Sequence, residues 1–439
     1  MRISCLFILL LLSLPLAATP TIQHWQTGKG AEVYFVETHE LPIVDIQLIF
    51  DAGSTRDPSG KHGLALLTNS LLAEGAGGMD ADAISYEFER FGAVYANNAG
   101  YDSASVSLRS LSDAVKLQPA LANLKRVISS PDFPVKAFER QRRQILIGIQ
   151  QKQQSPAALA KDAFYAALFQ QHPYAFPNEG TEESVKSLLL GDIAEFYRHY
   201  YSVRNATVAI VGDMDRAAVE KLVETLTQSL QEGLKPPPLQ EVRPLTRGRE
   251  VKINYPSAQM HILVGQPGDK RGDPDYFPLY VGNHVLGGGG MVSRLFEEIR
   301  EKRGLSYSAY SYFTPMREYG PFTAGIQTRV EQADEALKLL REGLRKFVEN
   351  GPTPGELEAS KKNITGGFPL RIDSNSDILG YVAVIGFYKL PLDYLDTFNA
   401  RVEAVTIEQI GDAFRRRLFP DKMVTVMVGP VGEATEQGN

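Results

Sequence analysis

The sequence predicts an α+β protein built from two homologous halves, each an antiparallel sheet with helices packed on it. Residues 75–79 (GAGGM) recur as 287–291 (GGGGM), and 92–95 recur as 304–307, so both pairs lie about 212 residues apart. A unit of roughly 200 residues is too long for a solenoid repeat and is typical of a duplicated domain. Strands mixed with runs of helices favour α+β layers over a doubly wound parallel sheet.

The first copy opens with strand-like alternation, closed by a turn at residues 51–54. The stretch from Asp80 is an amphipathic helix, because Ile84, Phe88 and Phe91 share one face. A long helix ends before Pro156, which we interpret as a helix stop. The predicted strands are 33–36, 43–50, 104–108 and 206–211, and the predicted helices are 63–72, 80–91, 112–128, 136–154, 181–190 and 192–200.

The second copy repeats this order after a proline-rich stretch at 233–249, which we interpret as an extended linker. We therefore place an N-terminal half at 19–232 and a C-terminal half at 250–439. The predicted strands are 251–254, 261–264, 307–313, 320–327 and 424–428, and the predicted helices are 277–286, 292–302 and three that begin at Glu331, Pro354 and Thr406.

Residues 1–18 have the composition of a signal peptide. Arg2 is the only charged side chain, residues 6–14 are apolar, and residues 15–18 (PLAA) offer a small-residue cleavage site. The apolar run is too short to cross a bilayer comfortably, so the mature chain is expected to have no membrane span. The only cysteine, Cys5, falls in this segment, so the mature chain has no disulfide. We predict an exported protein, periplasmic or secreted.

Charge argues against a nucleic-acid partner. The chain has 52 acidic and 46 basic residues, a net charge of -6, and its lysines and arginines are dispersed. A nucleic-acid-binding domain is usually basic, with its positive charge gathered on one face.

Three stretches resemble the pitrilysin and mitochondrial-processing-peptidase superfamily, the insulinase-like peptidases, and in particular its short bacterial branch. They are 51–54 with 63–65, 172–174 with 180–184 and 211–213, and 293–296 with 300–307. Their order and spacing extend over nearly the whole mature chain. The resemblance implies two homologous α+β halves that form one half of a clamshell chamber enclosing unfolded peptides.

The zinc motif of this superfamily is absent. Active members read Gly-Leu-Ala-His-x-x-Glu-His, in which two histidines one helical turn apart bind zinc and the glutamate activates water. In the same register this chain has Leu66, Asn69 and Ser70, and the third ligand, a glutamate on a later helix, falls near Gly148. None of these side chains can replace the lost group, so we predict no metal and no cofactor in this chain.

No substitute site is evident. His39-Glu40 begins a zincin-like pattern, but Pro42 breaks the helix that the motif needs and Ile43 stands at the second histidine position. There is no Gly-x-Ser-x-Gly elbow and no cysteine in the mature chain. Residues 287–290 are not followed by Gly-Lys-Ser/Thr, so we interpret them as a tight turn duplicated from residues 75–78.

The C-terminal copy keeps one functional pair. Arg300 and Tyr307 are seven residues apart, across the end of a helix, a Gly304 stop and the start of a strand. The resemblance implies that they donate to the substrate carbonyl and the developing oxyanion, in trans to a zinc-bearing subunit. The alternative is structural: Arg300 caps the helix or pairs with an acid, and Tyr307 is a half-buried strand residue.

Three functions stay open at this stage. The first is the non-catalytic subunit of an exported heterodimeric zinc peptidase, whose homologous partner carries the zinc; unfolded peptide would pair with an edge strand at 104–108 or 307–313. The second is a peptide-binding or assembly scaffold without chemistry. The third is a stand-alone metallopeptidase with an unconventional site, which the lack of any ligand cluster disfavours.

Overall fold

The computed structural model describes residues 20–430; the predicted signal peptide 1–18 lies outside them. Two sheets dominate this part of the chain. Its strands are Gln23–Gln26 (β1), Glu32–Glu37 (β2), Ile43–Phe50 (β3), Gly75–Ala76 (β4), Met79–Asp80 (β5), Val94–Ala99 (β6), Ala104–Leu111 (β7), Ala206–Gly212 (β8), Arg249–Asn254 (β9), Gln259–Pro267 (β10), Ser306–Phe313 (β11), Pro321–Arg329 (β12) and Val424–Gly429 (β13).

The sheets share one topology. The first runs β1-β2-β8-β3-β7-β6 and the second β11-β12-β10-β13-β9, so five strands of each follow the same order. Neighbours pair antiparallel except β2 with β8 and β9 with β13, which are parallel. The predicted α+β class with two homologous halves is confirmed, with one parallel pair in each otherwise antiparallel sheet.

Helices cover both sheets. They are Leu64–Ser70 (α1), Ala81–Glu89 (α2), Ala114–Ser129 (α3), Val135–Lys152 (α4), Pro156–Phe169 (α5), Glu182–Ser187 (α6), Leu190–Tyr200 (α7), Arg216–Thr227 (α8), Tyr276–Asn283 (α9), Arg294–Phe296 (α10), Ala333–Asn350 (α11), Pro354–Gly367 (α12), Asn375–Tyr388 (α13), Tyr394–Glu403 (α14) and Ile407–Arg417 (α15).

The two halves exchange a helix. α5 belongs to the first half but packs on β10 and β13 of the second sheet, whereas α13 packs on β2, β3 and β8 of the first. The contacts are close: a Cβ at Gly265 of β10 would lie 2.8 Å from Phe164 of α5, and one at Gly386 of α13 would lie 2.6 Å from Tyr34 of β2. Each sheet therefore depends on a helix from the other half to cover its apolar face.

Neither exchanged helix was predicted from the sequence. The long helix does end before Pro156, since α4 finishes at Lys152, but Pro156 then begins α5, where its missing N–H is harmless and Ser155 caps the helix. α13 is apolar around most of its circumference because it lies between two cores, so it lacks the amphipathic period that marks a surface helix. Ser374 caps its start.

Two local predictions were wrong. The strand predicted at 104–108 lies inside the first sheet, paired with β3 and β6, so it has no free edge; the edge strands are β1 and β6, and neither was predicted. The two glycine-rich stretches also differ in structure. Residues 75–80 form the β4–β5 hairpin, whereas residues 284–288 continue α9 as a π-helical turn.

The region between the halves has no regular secondary structure from the end of α8 to the start of β9. This region packs against both halves through side-chain and main-chain contacts. Val242 is buried in a cluster with α5 and β13, and Nε2 of His172 lies 2.8 Å from the carbonyl oxygen of Gln240. Within residues 20–430, no helix combines the length and apolar character needed to cross a membrane.

Candidate functional site

Helix α1 stands where the zinc-binding helix is expected. It begins after Gly63, which adopts φ of 94°, a conformation that favours glycine. The carboxylate of Asp57 accepts hydrogen bonds from the N–H groups of Gly63 and Ala65, both at 2.8 Å. These bonds satisfy donors that the first turn of a helix leaves unpaired, and so they fix the direction of α1.

Asn69 has a structural role at the position of the lost catalytic glutamate. Its side chain is 2% exposed, and Nδ2 donates to the carbonyl oxygen of Ser105 and to the hydroxyl of Tyr201, both at 3.2 Å. The backbone carbonyl oxygen of Asn69 accepts a 2.7 Å hydrogen bond from Nδ2 of Asn97. Asn69 therefore ties α1 to β7, to β6 and to the residue that follows α7.

The other replaced positions offer no ligand. Leu66 is half-buried against the core of the first half, and the Ser70 hydroxyl donates within its own helix to Leu67 at 2.9 Å. Gly148 is exposed on α4, and a Cβ placed there would meet no atom within 4 Å. These side chains do not fit a zinc ion, since a structural or catalytic site needs at least three N, O or S ligands.

A cavity of about 660 Å³ adjoins Ser70, between α1, α2, α4 and β6. Its lining includes Glu74, whose carboxylate accepts hydrogen bonds from Arg140 and Gln141 of α4. Glu74 and Gln141 were not predicted as site residues, although Glu74 follows Ser70 by four residues. Glu74 already accepts hydrogen bonds from two donors, and although Asp82 and Glu89 line the same cavity, these acids do not form a group that could hold a metal ion within residues 20–430.

Within residues 20–430, no group of three or more His, Cys, Asp or Glu side chains could hold a metal ion. His39, the start of the zincin-like pattern, lies in a loop, with Nδ1 2.7 Å from Asp213 and Nε2 3.1 Å from Glu37. His62 stacks on Phe176 with ring centroids 3.7 Å apart, and burial lowers its pKa. Both histidines therefore have local structural partners.

Arg300 and Tyr307 are brought together in the second half. Arg300 lies in a π-helical turn, Glu297–Glu301, that continues α10, and Gly304 ends the turn with φ of 63° and an N–H bond to the Arg300 carbonyl at 2.8 Å. The guanidinium carbon lies 4.6 Å from the ring centroid of Phe296 and 5.1 Å from that of Tyr307. Two aromatic faces thus hold Arg300 by cation–π contact.

Tyr307 projects from an irregularity in an edge strand. Ser306 pairs with Thr328 and Ser308 with Gln327, so Tyr307 is an extra residue in β11 and makes a β-bulge. Its side chain is 83% exposed, which rules out the half-buried alternative. Bulges re-aim side chains next to functional sites, and here the bulge turns a tyrosine hydroxyl outward at the free edge of the sheet.

Arg300 has no ion-pair partner in the part of the chain that the structure describes. Of the acids on the same turn, Glu297 pairs with Lys302 and Glu298 pairs with Lys302 and Arg303, while Glu301 forms no ion pair with Arg300 among the described residues. The alternative in which Arg300 pairs with an acid is therefore wrong for the described residues. An unpaired guanidinium beside an exposed phenol is free to donate to an external oxygen.

Comparison with known proteins identifies the family. The family description "Insulinase (Peptidase family M16)" matches residues 32–182, and "Peptidase M16 inactive domain" matches residues 187–364. A solved structure of a peptidase M16 inactive domain from Pseudomonas fluorescens is 39% identical, has a TM-score of 0.90, and covers 93% of this chain and 98% of that chain. The chain belongs to peptidase family M16.

Relatives in this M16 family include inactive proteins. The "Non-peptidase homolog YmxG" of Helicobacter pylori is 26% identical over 385 residues, 87% of each chain. An "Uncharacterized zinc protease" of Rickettsia bellii is 25% identical over 417 residues, 93% of this chain and 98% of that one. The predicted resemblance is confirmed: this chain is an inactive-type homologue of M16 subunits that lacks the zinc motif.

The two M16 halves differ at equivalent positions. With the offset of the repeat, Arg300 corresponds to Phe88 and Tyr307 to Tyr95. In the first half the Phe88 and Tyr95 rings stack with centroids 5.1 Å apart, and burial raises the pKa of Tyr95 far above its usual value. This pair of positions is therefore occupied by two packed, uncharged rings in the first half, and by a cationic arginine and an exposed tyrosine in the second.

Proposed function

We propose that this chain is the non-catalytic subunit of an exported heterodimeric zinc peptidase. Its partner is a homologous subunit that carries His-x-x-Glu-His and the zinc, and this chain contributes Arg300 and Tyr307. The single observation that carries the proposal is the exposed, acid-free pairing of Arg300 with Tyr307 in a chain whose zinc positions are occupied by Leu66, Asn69 and Ser70.

The chemistry requires donors aimed at developing charge. Attack on a peptide carbonyl places negative charge on its oxygen, and a positioned guanidinium and phenol stabilise that charge when water is excluded. Arg300 is held by two rings rather than by a carboxylate, so its N–H groups need not leave an ion pair before they donate. The hydrolytic water and its activation belong to the partner's metal site, for which this chain has no ligands.

The substrate in this proposal is an unfolded peptide that adds to a sheet edge. Within residues 20–430, β11 is an edge strand that pairs on one side only, and Tyr307 lies on it. An extended peptide beside β11 would form main-chain hydrogen bonds and bring a carbonyl near the Arg300–Tyr307 pair. β6 is the matching edge of the first sheet and offers the same backbone groups. Export rests on the composition of residues 1–18.

The test is reconstitution with a His-x-x-Glu-His homologue from the same genome. Arg300→Ala in this chain is expected to lower the turnover of the mixture by on the order of a hundredfold, the usual effect of losing an oxyanion donor. Arg303→Ala is the matched control, because Arg303 lies just after the same turn but pairs with Glu298. A hundredfold loss with Arg300→Ala and an unchanged rate with Arg303→Ala support the proposal.

Tyr307→Phe removes only the hydroxyl, and Tyr86→Phe, on α2 of the first half and 62% exposed, is its control. We expect Tyr307→Phe to reduce turnover at least tenfold. If Arg300→Ala and Tyr307→Phe leave the rate of an active mixture unchanged, the role in catalysis is wrong. Peptide binding without activity in any mixture would favour the peptide-binding or assembly scaffold instead.

A further inference from the structure

A second cavity, of about 300 Å³, lies in the C-terminal half between α9 and the end of β11. It is separate from the α1 cavity and from the Arg300–Tyr307 pair. Its volume is at the small end of the range for ligand cavities. The lining residues that matter here are Asp269, Arg271, Tyr276, Tyr280, Tyr312 and Arg371.

Two arginines in this cavity lack a counter-ion. Within residues 20–430, neither Arg271 nor Arg371 forms an ion pair. Nε of Arg271 is buried and has no hydrogen-bond partner, and its guanidinium carbon lies 5.3 Å from the Tyr388 ring centroid. Arg371 is exposed at the rim, where Nη1 donates to the Tyr280 hydroxyl at 3.0 Å.

Among the described residues that line the cavity, the one acid is Asp269, which interacts electrostatically with Arg271 but is outnumbered by the two arginines. Asp269 is 1% exposed, and burial raises its pKa to about 7. Asp273 is taken by Arg417, which donates to both of its carboxylate oxygens at 2.7 and 2.8 Å. The ring nitrogens of His284 face Asn363 and Ser360, and burial lowers its pKa. The cavity therefore has a net positive charge.

We infer that this cavity binds a carboxylate of the bound peptide, either its C-terminal carboxylate or an Asp or Glu side chain. Arginine presents paired N–H donors that match the two oxygens of a carboxylate, and aromatic walls lower the local dielectric and strengthen the contact. Arg271 and Arg371 both line the cavity, and neither has an ion pair among the described residues, so both guanidinium groups can donate to a bound carboxylate. The inference rests on the proposed function, in that it takes the ligand to be a peptide.

The position of the cavity links it to the proposed peptide track. Tyr312 and Phe313, the last two residues of β11, line it, and Tyr307 lies near the start of the same strand. At about 3.3 Å per residue, the two ends are about 20 Å apart. An extended peptide on this edge therefore needs about six residues between the carbonyl near Tyr307 and the carboxylate in the cavity.

The experiment measures peptide binding to the mature chain alone by fluorescence anisotropy. Three versions of one labelled twelve-residue peptide are compared: a free C-terminal acid, a C-terminal amide, and a version with its acidic side chains replaced by Gln or Asn. The protein variants are Arg371→Gln and Arg271→Gln. Arg345→Gln is the control, since Arg345 is an exposed arginine on α11 that pairs with Asp421.

Loss of one carboxylate is expected to weaken binding to the unaltered chain at least tenfold, as for a charge-assisted hydrogen bond. Whether amidation or side-chain replacement has this effect identifies the source of the carboxylate. Arg371→Gln and Arg271→Gln should bind all three peptides within about twofold of one another, whereas Arg345→Gln should keep the preference. Competition by millimolar inorganic phosphate, lost in Arg371→Gln, would further support an anion site.

Equal affinity of the unaltered chain for all three peptides would overturn the inference, as would a full preference retained in Arg371→Gln or the absence of peptide binding. Phosphate binding without any preference among peptides would also overturn it, because the cavity would then hold only small anions. The proposed function fails differently, when Arg300→Ala leaves the rate of the reconstituted mixture unchanged, so the two failures are distinguishable.

Discussion

Replacing Asn69 tests whether the former catalytic position now serves stability. In Asn69→Ala, Ser105 and Tyr201 lose the amide that bridges them, and the Tyr201 hydroxyl stays buried. A hydrogen bond contributes about 1 kcal/mol net, and a buried polar group left unpaired costs about 1–3 kcal/mol. We therefore expect Asn69→Ala to lower the free energy of unfolding by about 2–3 kcal/mol, and the Tm by roughly 5 °C.

The assay is urea unfolding followed by the fluorescence of Trp25, the only tryptophan. Trp25 lies in β1 of the first sheet, with the guanidinium carbon of Arg216 3.5 Å from its ring centroid, so its emission reports on the half that contains α1. Ser70→Ala is the control, because the Ser70 hydroxyl bonds only within its own helix. It should change stability by less than about 0.5 kcal/mol. Equal effects of Asn69→Ala and Ser70→Ala would refute the reasoning.

Three further predictions follow from packing, charge and backbone conformation. Gly386→Ala should destabilise the protein by about 1–3 kcal/mol, because the new methyl meets the Tyr34 ring at 2.6 Å. Gly380→Ala, on the same helix, meets no atom within 4 Å and should be neutral or slightly stabilising. Urea unfolding midpoints compare the two variants, and equal midpoints would contradict the helix exchange. The pKa of Asp269 is raised to about 7 in the folded state, so the folded protein binds the proton more tightly and stability is lost as pH rises from about 4 through 7. Asp269→Asn should remove this loss, so its stability relative to the unaltered chain should grow by about 2–3 kcal/mol between pH 5 and pH 8 in urea unfolding. A difference that stays constant with pH would be the contrary result. Gly304→Ala should cost about 1 kcal/mol, since only its φ of 63° and no neighbouring atom opposes a side chain; a thermal melt with no loss of Tm would contradict this.

The sequence was informative where chemistry depends on local spacing. The register of α1 follows from the residues around Leu66 and Asn69, and a helix end, a glycine and a strand between Arg300 and Tyr307 follow from Gly304. Because these features span a few residues, their local patterns determine them. The loss of the zinc positions was evident for the same reason.

The rest depended on contacts that are distant in sequence. The exposure of Tyr307 comes from a bulge whose register is set by the partner strand β12, which no local pattern encodes. The edge position of β6 was missed because its exposed pattern, beginning at Val94, lacks the apolar alternation of a half-buried strand. The exchange of α5 and α13 is a tertiary arrangement. Because α13 is buried on both sides, its sequence lacks the amphipathic period that would have identified it as a helix.

The proposal of a split active site is tested most directly by peptide hydrolysis and zinc content measured on the same samples. The mature chain is assayed alone and after mixing with the His-x-x-Glu-His homologue. The account predicts hydrolysis only in the mixture, zinc only in the homologue, and loss of activity when Arg300→Ala replaces the unaltered chain. Hydrolysis and stoichiometric zinc in this chain alone would contradict it, since Leu66, Asn69, Ser70 and Gly148 would then not define the state of its metal site.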